Sequence, residues 1–337
     1  MPSPEATPPA APLLDMAGLI TTVRTPRGSF HGVDEVSLRV QAGRTLCLAG
    51  ESGSGKSLTA LSIMGLLPEA AQVEAGVLRF EGRDLLSLPP PERRRLRGQA
   101  MAMIFQEPMT ALNPVLDIGT QVAEALRIHG VPKAQALERA LAMLERVRIA
   151  DAPRRMRDFP HQLSGGMKQR VMIATALIHR PRLVIADEPT TALDVTLQAQ
   201  VLALLKELQD EIGMGMVFVT HDLGVVAEIA DEVAVMYAGR IVERAPVQAL
   251  FARPAHPYTR GLLDARPRAG QTKDNTPQLG LIPGRVPSPL DWPAGCRFQA
   301  RCTRAQARCK EAVPPPTAVA GSAAGHEAAC FFPLLAA

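Results

Sequence analysis

The chain has 337 residues, 37 Lys and Arg against 33 Asp and Glu, and 47% hydrophobic residues with only 4% aromatic. That length exceeds one minimal core and suits a large α/β domain with an appendage, or two domains. A net charge of +4 is too mild to argue for nucleic acid as a partner, and the apolar stretches are broken by charge or proline well before the roughly 20 residues of a bilayer span.

Residues 1–11 are proline-rich and lack a basic segment followed by an apolar run, so they read as a disordered leader and not as a signal peptide. Residues 33–40 and 44–49 read as strands, the second a short apolar run of the buried, parallel kind. A helix is expected over 56–67, closed by Pro68, then a hairpin over 76–86. Arg93, Arg94, Arg95 and Arg97 follow a triple proline and read as a solvated loop or helix face, with an anionic-lipid or partner contact as the alternative. Residues 101–105 form another short apolar run. Between 118 and 149 the period becomes helical, with Ile118, Val122 and Ala125, then Leu137, Leu141 and Leu144, on one face, which suggests an inserted helical subdomain over about 107–165. Met167, Val171, Ala174 and Ile178 mark a further helix, 183–186 a buried strand, Leu197, Val201, Leu204 and Leu208 another helix, and 216–220 another strand. Strands alternating with helices predict a mostly parallel sheet with crossover helices. A domain over 12–263 is therefore expected, followed by an irregular extension over 264–337 rich in Pro, Gly and Ala.

Gly50-Glu51-Ser52-Gly53-Ser54-Gly55-Lys56-Ser57 fits GxxxxGK[ST] between an apolar strand and a helix. Its glycines let backbone N–H groups turn inward around phosphate oxygens at a helix N-terminus. Lys56 is placed to reach the β- and γ-phosphates, and Ser57 to put a hydroxyl on magnesium. The apolar run LVIAD ends in Asp187, a candidate magnesium ligand. Glu188 follows at once and is a candidate to polarise an attacking water.

Leu163-Ser164-Gly165-Gly166-Met167 resembles the signature of ABC ATPases. Physically it is a second phosphate site, Ser164 and the N–H groups of Gly165 and Gly166 opening a helix; in the family that phosphate belongs to ATP held by the opposite subunit. The resemblance implies an ABC-type P-loop fold with a β subdomain and an inserted helical subdomain. It further implies that Gln106 is the glutamine that senses magnesium and the attacking water, that Thr191 to Asp194 cross the dimer interface with Asp194 near nucleotide, and that His221 contacts the γ-phosphate. Phe105 to Pro114, His161-Gln162, Ala192 to Thr196, His256 to Thr259, Ile282 to Gly284, Val286-Pro287 and Gly295 to Phe298 resemble the oligopeptide, dipeptide and nickel importer group. Met167 and Gly65 to Pro68 favour the D-type ATPase of that group. Resemblance to this group implies an ATP- and Mg2+-dependent ATPase that powers solute import. Its implied partners are two membrane permease subunits, a paralogous F-type ATPase subunit in a head-to-tail dimer and, indirectly, an extracytoplasmic solute-binding protein. It would sit peripherally on the cytoplasmic face of the inner membrane. The rival reading is a soluble ABC ATPase acting on DNA or ribosomes, which usually carries two ATPase units, long coiled-coil insertions or basic linkers; none is visible here. One family mark is missing: the position that usually stacks an aromatic on adenine corresponds to Val23, with Phe30 and His31 nearby.

Cys296, Cys302, Cys309 and Cys330 crowd into the tail, while Cys47 lies in an expected buried strand and reads as a small core residue. In a chain expected to be cytoplasmic, disulfides are disfavoured and a metal site is the sharper reading of the four. Their spacing is too loose for a zinc ribbon's paired CxxC, and four thiolates can equally hold an iron–sulfur cluster. The importer group's extension carries a 4Fe-4S cluster in some members, and the resemblance implies the same candidates here. Zinc or unligated thiols are the alternatives.

Overall fold

The computed structural model describes residues 11–191, 193–265 and 282–334; the expected leader, apart from Ala11, lies outside the described residues. Near the N-terminus, β1 (Leu14–Thr25) and β2 (Gly28–Val40) form an antiparallel hairpin, from Leu14 opposite Val40 to Thr25 opposite Gly28. Strands were expected only from residue 33 onwards, so β1 is an addition. The reason is visible in the pairing: three register shifts between Met16 and Thr22 break the period-two alternation on which strand recognition rests.

β3 (Thr45–Ala49) is buried throughout. The helix after it, α1 (Lys56–Met64), stops short of residue 67 because Gly65 adopts a left-handed conformation (φ 62°) and caps the helix. β4 (Ala71–Glu74), β5 (Val77–Phe80) and β6 (Arg83–Asp84) complete the first sheet, in the order β2-β1-β5-β6 with β4 also on β1. The basic run lies on α2 (Pro90–Gln99), which buries no residue, although Arg97 donates to the carbonyls of Met64 and Gly65 (both 3.2 Å).

After β7 (Met101–Ile104) come α3 (Pro108–Ala111), α4 (Ile118–Arg127), α5 (Lys133–Arg146) and α6 (Ala152–Arg155). Asp117 caps α4, its carboxylate accepting from the Thr120 N–H at 2.7 Å. The buried face of α5 is Ala136, Ala140 and Leu144; Leu137 and Leu141, expected inside, are only partly covered. Small alanines at the contact let α4 and α5 pack closely, which displaces the stripe by one position.

The remaining elements are α7 (Gly165–Leu177), β8 (Leu183–Asp187), α8 (Val195–Ile212), β9 (Gly215–Thr220), α9 (Leu223–Ile229), β10 (Glu232–Tyr237), β11 (Arg240–Pro246), α10 (Val247–Ala252), α11 (Pro257–Asp264), α12 (Ala307–Glu311), β12 (Thr317–Ala318) and β13 (Glu327–Ala328). The second sheet runs β12-β13-β11-β10-β3-β9-β8-β7. Its strands from β10 to β7 are parallel, as crossover helices require. Alternation divides its side chains between two cores. Leu46, Leu48, Val217 and Val219 pack with the first sheet, whereas Cys47, Ala49, Met216 and Phe218 pack under the helices. Cys47 is fully buried, and burial pushes its thiol well above the usual range.

The tail is short on regular structure but returns to this sheet, β13 pairing with β11. Beneath that pairing lies Glu243, 1% exposed, whose carboxylate accepts from the N–H groups of Ala255 (2.7 Å) and His256 (2.8 Å) and from Nε2 of His326 (2.8 Å). His326 Nδ1 then accepts from the Ser322 hydroxyl (2.6 Å), so the chain of buried polar groups is fully satisfied.

Candidate active site

The parallel order β3-β9-β8-β7 puts four chain exits side by side at the C-terminal ends of the strands, where ligands of α/β sheets bind. The loop 50–55 leaves β3, His221 follows β9, Asp187 and Glu188 close β8, and Gln106 stands two residues after β7. Ala49 pairs with Thr220, Asp187 with Val219, and Ile104 with Ala186. Strand register therefore brings together residues scattered over more than a hundred positions.

Lys56 is 4% exposed and turns back over the loop, donating to the carbonyls of Gly50 (2.9 Å) and Glu51 (3.0 Å). Burial lowers its pKa against the opposing pull of Glu188, Asp187 and Glu51. Gly50 has φ 152°, and a Cβ there would stand 2.2 Å from the carbonyl oxygen of Met236; only glycine lets the loop pass this strand end. Ser57 donates to Asp187 Oδ1 at 2.9 Å, so two oxygens suited to a hard cation meet at the mouth of the loop. Burial raises the Asp187 carboxyl, partly offset by the Ser57 hydroxyl, while Glu188 pushes it further up. A buried acid in that condition would be relieved by a cation.

Glu188 is the hub. Its backbone is left-handed (φ 46°) and its N–H is held by the Val219 carbonyl at 3.0 Å. Three donors converge on its Oε2: Thr191 Oγ1 (2.9 Å), His221 Nδ1 (3.0 Å) and Gln106 Nε2 (3.3 Å). Its other oxygen, Oε1, faces Lys56 Nζ at 3.8 Å. Gln106, expected beside the metal ligands, is thus placed on the carboxylate next to them. Thr191 stands out in the sequence only as part of a longer motif; its hydroxyl contact could not be read from spacing.

Ser164 and Asp194 lie elsewhere. Both are exposed and both cap helices, Ser164 Oγ accepting from the Met167 N–H (3.4 Å) on α7 and Asp194 Oδ1 from the Leu197 N–H (2.9 Å) on α8. Gly165 faces open space, while a Cβ on Gly166 would meet Leu197 at 3.3 Å, so the turn that opens α7 rests on the first turn of α8. At the start of α7 Gly165 is exposed, whereas Gly166 is buried against α8.

On the side of the first sheet, Val23 stands directly opposite Phe30 in the β1–β2 ladder, so the two side chains share a face. A Cβ on Gly32 would stand 3.5 Å from Phe30 Cε2 and 3.8 Å from Val23 Cγ2. The Gly32 carbonyl oxygen in turn lies 2.6 Å from a Cβ placed on Gly55. Gly32 therefore links the face of Val23 and Phe30 to the loop 50–55.

Cys296, Cys302, Cys309 and Cys330 all line one small cavity, walled by Phe298, His256 and Phe331. Burial raises the thiols of Cys296 and Cys302 and pushes that of Cys330 up to about 11; it lowers His256 to about 4. Among the described residues, however, no three His, Cys, Asp or Glu side chains are arranged to hold a metal ion. The four thiols expected at a metal centre thus share a cavity but form no ligand set.

Residues 33–191 match the ABC transporter family, and residues 242–309 match the oligopeptide/dipeptide transporter C-terminal region. A putative peptide import ATP-binding protein of Brucella melitensis is 52% identical over 318 residues, covering 91% of this chain and 94% of the relative. A probable peptide ABC transporter ATP-binding protein of Sinorhizobium fredii is 49% identical over 329 residues, 97% of each chain. Among solved structures, a dimeric ATP-binding cassette in a post-hydrolysis state bound to ADP and Pi superimposes with a TM-score of 0.63 at 26% identity, covering 69% of this chain and 98% of the other. A cassette of Clostridium perfringens from an ABC transporter complex gives 0.62 at 25% identity, covering 72% and 91%. ABC ATPases use ATP with Mg2+, and those of importers work with membrane permease subunits, which suits a chain in which no described helix is long and apolar enough to cross a membrane. The chain belongs to the ABC transporter ATPases, in the branch that carries the oligopeptide/dipeptide transporter C-terminal region.

Proposed function

We propose that this chain is the ATP-hydrolysing subunit that powers an importer of di- or oligopeptides or a related solute. The observation that carries the reading is the meeting of Lys56, Ser57, Asp187, Glu188, His221 and Gln106 on adjacent strand ends, while Ser164 and Gly165 stand exposed where α7 begins. Each group is half of a composite site. Residues 50–57 hold the phosphates of one ATP, and Ser164, Gly165, Gly166 and Asp194 reach the nucleotide of the opposite subunit. Closure of two ATPase subunits head to tail completes the site, so ATP binding biases an open–closed equilibrium.

Within the closed site Lys56 neutralises the β- and γ-phosphates. A magnesium ion, when bound, supplies further charge neutralisation there, and Ser57, Asp187 and Gln106 would hold it. Glu188 accepts the proton of the attacking water as its oxygen bonds to the γ-phosphorus and the bond to ADP breaks. His221, Thr191 and Gln106 fix the carboxylate, and His221 turns to the γ-phosphate. Phe30, opposite Val23, offers the aromatic face for adenine.

The finer assignments are two permease subunits, a paralogous F-type ATPase as the dimer partner, an extracytoplasmic binding protein acting indirectly, and a peripheral position on the cytoplasmic face of the inner membrane. The names of the relatives support peptide import and the dimeric solved cassette supports pairing of two ATPase subunits; the other assignments rest on the resemblance of the sequence motifs. The four tail cysteines are assigned to a 4Fe-4S cluster, supported by their common cavity. A single tetrahedral ion would draw the sulfurs to within about 4 Å of one another, given metal–sulfur bonds of about 2.3 Å.

Fractionation with transport tests the whole reading. In cells that express the neighbouring permease genes, the protein should sediment with membranes, and its deletion should abolish uptake of a labelled dipeptide or tripeptide. A protein that stays in the soluble fraction, or co-sediments with ribosomes or DNA, would overturn it.

A further inference from the structure

The loop 50–57 is gripped from outside by the tail. Arg301 ends a 3-10 turn (Gln299–Arg301), 250 positions from Glu51, and only 8% of its surface is exposed. Its guanidinium donates in parallel to both carboxylate oxygens of Glu51, Nη1 to Oε2 at 2.6 Å and Nη2 to Oε1 at 3.0 Å. The guanidinium is itself fixed: Nε donates to the Pro283 carbonyl (2.8 Å), Nη2 to that of Ile282 (3.2 Å), and Nη1 reaches the Tyr237 hydroxyl (3.4 Å). Glu51 is also held through its backbone. Its N–H donates to the buried Tyr258 hydroxyl at 2.8 Å, and its carbonyl accepts from Lys56 at 3.0 Å.

A two-pronged guanidinium–carboxylate pair fixes orientation as well as distance, so the first turn of the phosphate loop is set by a residue of the extension. The pair also cancels a negative charge that would otherwise stand within the loop destined for a polyanion. The guanidinium of this pair is buried and the carboxylate partly so (29% exposed), and removing one partner leaves the other charge uncompensated.

We infer that Arg301 is a positioning residue of the ATP site, acting through Glu51 to hold the phosphate loop and to neutralise it for ATP. The inference rests on the assignment of residues 50–57 to the phosphates. The grip is lost when either partner changes alone, but the charge balance is regained when both become neutral.

The test is equilibrium titration of the purified full chain with ATP and Mg2+, with thermal unfolding as a check on folding. Wild type and Lys56→Ala come first: if the wild type binds no ATP, or Lys56→Ala binds as well as wild type, the phosphate-loop assignment fails and not this inference alone. With those controls in order, Arg301→Gln should raise the Kd at least about fivefold, the lower end of typical coupling between sites. Adding Glu51→Gln should recover part of that loss, since the bare carboxylate is gone, while the part owed to the missing parallel bonds remains. A Kd for Arg301→Gln equal to wild type overturns the inference. So does weakening that Glu51→Gln leaves wholly unrelieved, because Arg301 would then serve only the fold of the tail. Should Arg301→Gln not fold, Arg301→Lys decides: it keeps the charge and loses the parallel bonds, so a raised Kd supports the positioning role and an unchanged one overturns it.

Discussion

Glu188→Gln isolates charge from shape. Three donors meet at Oε2, and only Oε1 faces the Lys56 ammonium. In the variant the amide oxygen takes the Oε2 position and keeps all three hydrogen bonds, while the NH2 group replaces Oε1 near Lys56. The side chain is thereby held in place, and what disappears is the ability to take a proton. Loss of a positioned general base costs about 10²- to 10⁴-fold in rate, equivalent to about 3–5.5 kcal/mol in the barrier. ATP binding should be kept or tightened, because one negative charge leaves the surroundings of the γ-phosphate. Phosphate release at saturating ATP measures the first effect, and titration with ATP and Mg2+ the second. A kcat within tenfold of wild type would refute the role given to Glu188. A fall in kcat accompanied by lost ATP binding and a lower unfolding temperature would also refute it, since the carboxylate would then be structural.

Asp187→Asn should stabilise the nucleotide-free protein while abolishing Mg2+-dependent hydrolysis. The Asp187 carboxyl is raised chiefly by burial, so the folded state binds its proton more tightly than the unfolded chain does. The resulting stabilisation is present at low pH and lost as pH rises through the raised folded value. The gain from Asn should accordingly be larger at pH 8 than near pH 3.8, the ordinary carboxyl value, in thermal unfolding, and a gain independent of pH would contradict the argument. For the tail, protein purified without oxygen should be brown and carry iron that disappears when Cys302 and Cys309 become Ser; a colourless, iron-free preparation would remove the cluster assignment.

The strand–loop–helix form around residues 50–57 was legible because its requirements are local: a buried strand, glycines where a Cβ would strike Met236, and a helix starting at Lys56. The hub around Glu188 was legible only as separate residues, each at the end of an apolar run. Which of them touch was decided by strand order and register, which a sequence does not display. β1 was missed because its irregular pairing with β2 hides its alternation. The buried face of α5 was misplaced by one position because alanines, and not leucines, form its contact. Arg301 and Tyr258 were beyond reach for a different reason: they meet Glu51 across 250 and 207 positions, and nothing in their neighbours marks an ion-pairing partner. The match of residues 242–309 to a recognised C-terminal region begins inside β11.

The pairing of β13 with β11 bears on how this protein can be cut. A fragment ending near 264 would leave β11 as the outermost strand of the central sheet, with its free N–H and C=O groups turned to solvent. It would also strip Glu243 of the His326 donor that covers it. Bare strand edges recruit other strands. Such a shortened cassette should therefore self-associate, and pull-down experiments built on it would report stickiness created by the cut.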